Sequence, residues 1–269
     1  MAKEELKALL GNPDVIILDV RARMAAPQPQ AAPSPAYTPV ITDLWRLVRA
    51  PFVPRTVYEE QQAAPTFWIP WALVCAFFFV LQFLQRPFQQ RVRELVLQKL
   101  GQPASAGGAS LAGTLIGIAG TFLTVLVLAC IAAGIYYLVL MVFGGQTTYK
   151  RMLTVTIFAW PIALLQQLLT YIALSIRGVD SIQSVWDAQV SFGADLLLPS
   201  DTTVSAFLRL FLAGIGPIAI WQLVVTVIGL KTLGKVSTGA AWTAALVAFL
   251  VMLVGLAALG AVGMKAAGG

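Results

Sequence analysis

Histidine is absent from the chain, and cysteine occurs only twice, at Cys75 and Cys130. Without histidine there is neither a His-based metal site nor a histidine general base. Charge is scarce as well: Asp, Glu, Lys and Arg supply 11% of the 269 residues, and the long apolar runs contain none of them. That excludes a pair of intramembrane carboxylates for proteolysis or proton relay. Both cysteines fall inside apolar runs, where a thiolate would lose its solvent, so thiol chemistry is excluded too. Neither enzymatic activity nor a cofactor is expected. What the chain has in excess is apolar surface, with 58% hydrophobic residues and a mean hydropathy of +0.81. Such a composition belongs to an integral membrane protein.

A spanning helix needs about 20 apolar residues. Five stretches meet that need: Phe67 to Leu84, Leu111 to Phe143, Met152 to Ile176, Leu210 to Leu230, and Gly239 to Gly263. No strand-like alternation runs through them, which excludes a barrel, and only helices can then satisfy their own backbone in lipid. The fold expected is an all-α, polytopic bundle of five transmembrane helices with interfacial amphipathic helices. The second stretch is too long for one upright crossing, so its Gly-rich start, LAGTLIGIAG, is expected to lie in the interface or tilt, leaving Gly117 to Phe143 in the membrane.

Between the second and third stretches lies FGGQTTYKRM. Gly144 and Gly145 allow the positive φ that ends a helix, and Thr147 or Thr148 can cap the next one. Lys150 and Arg151 then sit at the headgroups, as do Lys231 and Lys235 in the turn between the last two stretches. The loop from Arg177 to Ala206 instead carries Asp180, Asp187, Asp195 and Asp201 with one base, as a translocated loop would. Charge alone does not orient the chain. Arg49, Arg55, Lys150, Arg151, Lys231 and Lys235 on one side balance Arg86, Arg91, Arg93, Lys99, Arg177 and Lys265 on the other.

Two segments read as interfacial helices. In RPFQQRVRELVLQKL, Phe88, Val92, Leu95, Val96 and Leu100 recur at helical spacing opposite Arg91, Arg93 and Lys99, suiting either a brace for the bundle or a site for anionic lipid. In ITDLWRLVRAPFVPRTVYEE, Thr42 can cap a short helix with Leu44, Trp45, Leu47 and Val48 on one face and Arg46 and Arg49 directed to lipid phosphates.

The chain starts with MAKEELKALLGNPDVIILDVR, where Lys3, Glu4 and Glu5 stand in place of the apolar core of a signal peptide. Residues 1–23 resemble the opening of a rhodanese domain. The strand run then passes into MAAPQPQAAPSPAYTP, and residues 24–41 form a Pro/Ala-rich linker that cannot pack a core. Lacking further strands and a solvated nucleophilic cysteine, the start reads as a non-functional fragment, a relic or a misplaced gene start.

From 42 to 266 the order of features is that of another family. A short Trp-bearing helix, PFVPRTVYEE, a Trp-rich first span, the Gly-Gly-x-x-Thr-Tyr-Lys-Arg turn leading into TVTIFAWP, and GPIAIWQLVVTVIGLKTLGKVST together resemble the Yip (Ypt-interacting protein) domain. The resemblance implies five helical spans with a cytosolic N-terminus. Eukaryotic members bind small trafficking GTPases in vesicle formation and fusion, whereas many bacterial relatives have no defined role. The acidic loop and the alanine content look prokaryotic, so no GTPase partner is carried over, and a bacterial inner membrane with the N-terminus cytoplasmic is expected.

Two functions follow. In the first, the bundle anchors a segment that recruits partners or organises the membrane, with Trp45, Arg46, Arg49, Pro54, Arg55 and Tyr58 as its exposed residues. In the second, the chain is a small-solute transporter or channel with a midplane site. Gln166, Gln167 and Gln222 are then its polar residues, unless they only bond helix to helix, and Pro161 and Pro217 break the helices around them. The partners expected are membrane lipids, anionic ones among them, and a protein of unidentified kind, with no nucleic acid. Ala240, Ala244 and Ala248, and the Gly113/Gly117 pair, allow close helix contact within the chain or in a homo-oligomer.

Overall fold

The computed structural model describes residues 39–99, 101, 111–198 and 204–266. The rhodanese-like start and nearly all of the linker lie outside the described residues. Among those residues the chain is helical, with no strand. α1 (Pro39–Arg49) and α2 (Pro54–Glu60) precede α3 (Trp68–Leu84) and α4 (Arg86–Lys99). Then come α5 (Leu111–Val142), α6 (Tyr149–Ala159) and α7 (Pro161–Arg177). The last three are α8 (Ala206–Ala213), α9 (Pro217–Gly234) and α10 (Thr238–Ala266).

Four elements are long and apolar enough to cross a membrane: Ala119–Val142 of α5, Tyr149–Arg177 across α6 and α7, Pro217–Gly234, and Thr238–Met264. The α3–α4 pair, bent by 60° at Gln85, counts as a fifth when its two helices are taken as one span. The bend follows from composition. α3 is apolar all round, whereas α4 alternates apolar and basic residues and turns away to lie on the bundle. There Phe88 of α4 packs with Leu174 and Ile182, and the Arg91 guanidinium donates to the Ile182 carbonyl at 3.4 Å. α4 therefore braces the bundle, with its apolar stripe partly spent on protein.

The FGG turn has two different reasons for its glycines. Gly144 takes φ +71°, the left-handed conformation that stops α5. Gly145 is needed for space, because a Cβ there would stand 2.8 Å from Val236 and 3.0 Å from the Leu140 carbonyl. Thr148 caps α6 by accepting from the Arg151 amide at 3.4 Å. The contact with Val236 brings this turn against the α9–α10 turn, so Lys150, Arg151, Lys231 and Lys235 share one end of the bundle, the basic end.

The second stretch is one helix of 32 residues, about 48 Å by helical rise, and its span Ala119–Val142 lies close to the Gly117 to Phe143 expected. One expectation about the spans needs correction. The fourth stretch is not one helix. It breaks at Gly214 to Gly216, and α8 ends three residues before Pro217 opens α9. Both pieces pack on α10, where Leu210 meets Gly260 and Gly214 meets Leu253. α8 thus continues down α10 where α9 leaves off.

The acidic loop fills that break. The Ala194 amide donates to the Ile215 carbonyl at 2.8 Å, supplying a partner that the broken helix lacks. Gly193 lies so close to the Ala213 carbonyl that no Cβ fits. Within the loop, Asp187 accepts from the amides of Gln183 (3.0 Å) and Ser184 (2.7 Å). Burial works against its ionisation, but Ser184, the Gln183 amide and the Arg177 charge outweigh it and hold its pKa below the ordinary 3.8.

The core lies towards the basic end. Ala132 and Ala133 of α5 pack with Ala240, Ala241, Ala244 and Ala248 of α10, together with Phe158, Leu140 and Leu230. Small side chains let these helices approach closely, and the alanine stripe on α10 is used inside the chain. Gly117 is not used in that way: among the described residues a Cβ there would meet nothing within 4 Å.

A candidate binding cavity and the segment beside it

The segment 39–62 docks against the bundle instead of lying free. Asp43, Leu47 and Ala50, spaced for one helical face, are buried, while Ile41, Trp45 and Val48 face outward, Trp45 being 60% exposed. The expected lipid-facing arginines turn inward. The Arg46 Nε donates to Glu60 at 2.9 Å and its Nη1 to Asp43 at 3.3 Å, and Arg49 lies 3.7 Å from Glu60. Burial disfavours the Arg46 charge, but the two carboxylates outweigh this and raise its pKa. The reason lies in the turn Pro51–Pro54, which folds α2 back so that Glu60 reaches α1. The helix also begins at Pro39, which places Thr42 inside it and not at its cap.

Tyr58, expected to be exposed, has no exposed surface, and its hydroxyl donates to the Val155 carbonyl at 3.2 Å. Its ring fills the space left by Gly229 of α9. Pro54 opens α2, and Arg55, paired with Glu59 at 2.8 Å, remains the outward-facing charge of the predicted set. The Trp221 indole donates to the Pro51 carbonyl at 3.1 Å and packs on Phe52. The predicted surface therefore divides. Trp45 and Arg55 are exposed, while Arg46, Arg49 and Tyr58 hold the segment in place.

The glutamines converge elsewhere. α3, α5, α6, α7, α9 and α10 line a cavity of about 860 Å³ whose lining includes Gln166, Gln167 and Gln222 and, among the described residues, no charged side chain. This is within the usual size of small-molecule sites. The three glutamines are not equivalent. Gln167 bonds across the bundle, its backbone and side-chain oxygens accepting from Gln85 at the α3–α4 bend at 3.2 and 3.3 Å. Among the described residues, the side chains of Gln166 and Gln222 have no such partner and line the cavity. Aromatic packing forms another part of the wall, where Phe78 of α3 meets Trp160 edge-on, at 6.1 Å and 82°.

Sequence reasoning missed Tyr136, Thr124, Thr156 and Thr226, which also line the cavity. Thr156 and Thr226 donate their hydroxyls to carbonyls one turn back, Met152 and Gln222, and so pass unnoticed in an apolar helix. The available signal was spacing, since Gln222 and Thr226, like Gln166 and Thr170, stand four residues apart on one helical face. Both proline breaks lie at the cavity wall. Ala159, Trp160 and Ala163 flank Pro161, while Gly214 and Ala219 flank Pro217.

Residues 45–259 match the protein family described as the Yip1 domain. The membrane protein YknW of Bacillus subtilis (strain 168) is 29% identical over 204 residues, covering 75% of this chain and 84% of that protein. No solved structure matches the chain.

Proposed function

Since the chain belongs to the Yip1 domain family of membrane proteins, we propose that it is a non-enzymatic binding protein whose bundle holds an uncharged, hydrogen-bonding molecule. The observation that carries this reading is the pair Gln166 and Gln222, whose amides face an 860 Å³ cavity without a protein partner. In lipid, an amide without a partner costs several kcal/mol on alkane transfer scales and about 1–3 in proteins, so a guest that pairs with both is strongly favoured. The lack of a charged lining argues against ions and charged solutes, which need an opposite charge in a low-dielectric site.

Thermal melts of the purified chain in detergent separate a site from structural glue. Gln167→Leu loses the side-chain one of its two bonds to Gln85 and is expected to lower the melting temperature. Gln166→Leu and Gln222→Leu lose no protein bond and are expected to leave it unchanged or raise it. If these two destabilise the chain as much as Gln167→Leu, the cavity is ordinary interhelix packing and the reading fails.

We also propose that the basic end, where the segment 39–62 docks, faces the cytoplasm and the acidic loop the outside of a bacterial inner membrane, following the cytosolic N-terminus that the resemblance to the Yip domain implies. Cysteine labelling at Gln146 and Ser184 from opposite compartments tests this. A second reading, recruitment of a protein partner, draws on the outward-facing Trp45 and Phe52, the latter 72% exposed. Crosslinking from Trp45 that recovers lipid alone counts against it.

A further inference from the structure

The side on which the cavity opens narrows the chemistry of its guest. This step rests on the binding reading above. The described buried residues of α5 begin at Val125; before it, Ile116 is 72% and Leu123 61% exposed. Five lining residues, Gln82 near the end of α3, Gly117, Gly120 and Thr124 of α5 and Leu256 of α10, are themselves exposed and form the rim of the cavity. Among the described residues a Cβ at position 117 or 120 would meet nothing within 4 Å, so these residues make no tight helix contact at the two glycines. The cavity therefore opens sideways between the start of α5 and the far half of α10, within stretches whose solvent is lipid.

Its shape and chemistry agree with that entrance. The α5 lining runs from Gly117 to Tyr136, 19 residues, or about 28 Å by helical rise, much longer than a compact solute needs. Gln166, Gln222 and Thr226 supply donors and acceptors deep in the bundle, and Gln82 and Thr124 add polar groups at the rim, beside Gly117, Gly120 and Leu256. None of these groups can neutralise a phosphate or an ammonium.

We infer that the cavity takes a bilayer amphiphile with an uncharged, hydroxyl-bearing head, of the diacylglycerol type, which enters between α5 and α10. Its head pairs with Gln166 and Gln222, and its chains lie along Gly117 and Gly120 towards the surrounding lipid.

The test uses the full chain in phosphatidylglycerol vesicles containing either a photoactivatable diacylglycerol or a photoactivatable phosphatidylglycerol with the same acyl chains. The diacylglycerol probe is expected to label residues 116–124 and 252–259. Gln222→Leu should weaken this labelling about tenfold, as the loss of one or two hydrogen bonds implies. Gly120→Trp, which fills the mouth where no described residue stands in its way, should abolish it. Equal labelling of those residues by the charged probe, or labelling that neither substitution changes, overturns the proposal. If the diacylglycerol probe fails while Gln166→Leu and Gln222→Leu still spare the melting temperature, the amphiphile is wrong and the cavity reading survives. If both results fail, both fall.

Discussion

Tyr58 and Gly229 form a lock and its space, and they can be separated experimentally. A Cβ at position 229 would stand 2.6 and 2.8 Å from Tyr58 ring carbons and 2.9 Å from Val155 Cγ1. All three are well inside van der Waals contact, and the ring, fully buried and held by its hydroxyl to Val155, has no free side to move to. Gly229→Val is therefore expected to cost about 1–3 kcal/mol by overpacking. Tyr58→Ala removes a buried aromatic ring and should cost about 3–5 kcal/mol. In the double variant the valine occupies part of the space that the ring vacates. The combined loss should then fall short of the sum by at least about 1 kcal/mol, within the range of coupled neighbours. Melting in detergent reads the three losses, at about 2–4 °C per kcal/mol for a chain near this size. Protease cleavage between residues 61 and 66 reports whether the segment has come off. Additivity within about 0.5 kcal/mol refutes the reasoning, because it means the ring does not rest on Gly229.

Arg46→Ala leaves the buried Asp43 carboxylate without its cation and should destabilise the docked segment by about 3 kcal/mol; Arg55→Ala, which removes an exposed pair, should change the melting temperature by little. Gly193→Val cannot fit beside the Ala213 carbonyl, so hydrogen exchange at Ala194 should rise sharply while the α5–α10 core stays protected. Asp187 titrates below the ordinary 3.8, so its contribution to loop order is complete above that value and is lost as the pH falls through its lower, folded pKa. Exchange of the Gln183 and Ser184 amides should therefore accelerate only in that acid range. In Asp187→Asn it should be fast at neutral pH as well, and a wild-type loop that loosens between pH 5 and 7 would contradict this.

What the sequence made legible was set by the solvent. Lipid demands long apolar helices, and the spans from Met152 and from Gly239 appear in the structure close to where composition places them. The break at Trp160 and Pro161 was legible too, since proline cannot continue a hydrogen-bonded helix. The break ahead of Pro217 was only half visible. That α8 would stop at Ala213 depends on the Ala194 amide reaching Ile215 from a loop about twenty residues earlier. Tyr58 was misjudged for the same reason, because its burial is decided by Gly229, far away in the chain. Arg46 and Arg49 looked lipid-directed because local periodicity cannot show that the Pro51–Pro54 turn brings Glu60 back to them. The glutamines were identified as neutral polar residues within apolar stretches, but which of them bonds to protein and which lines open space depends on where the α3–α4 bend places Gln85.

The alanine collar around Ala132, Ala133, Ala241 and Ala244 also has a mechanical meaning. Clamped there and held before Val125 more lightly, by Phe122 edge-on against Trp71 at 5.5 Å, α5 is a lever with its fulcrum near the basic end. From Ala133 to Gly120 the arm is 13 residues, about 20 Å, so a swing of about 10° carries the tip about 3.5 Å. A displacement too slight to disturb the collar is thus enough to widen the far gap by the thickness of a hydrocarbon chain.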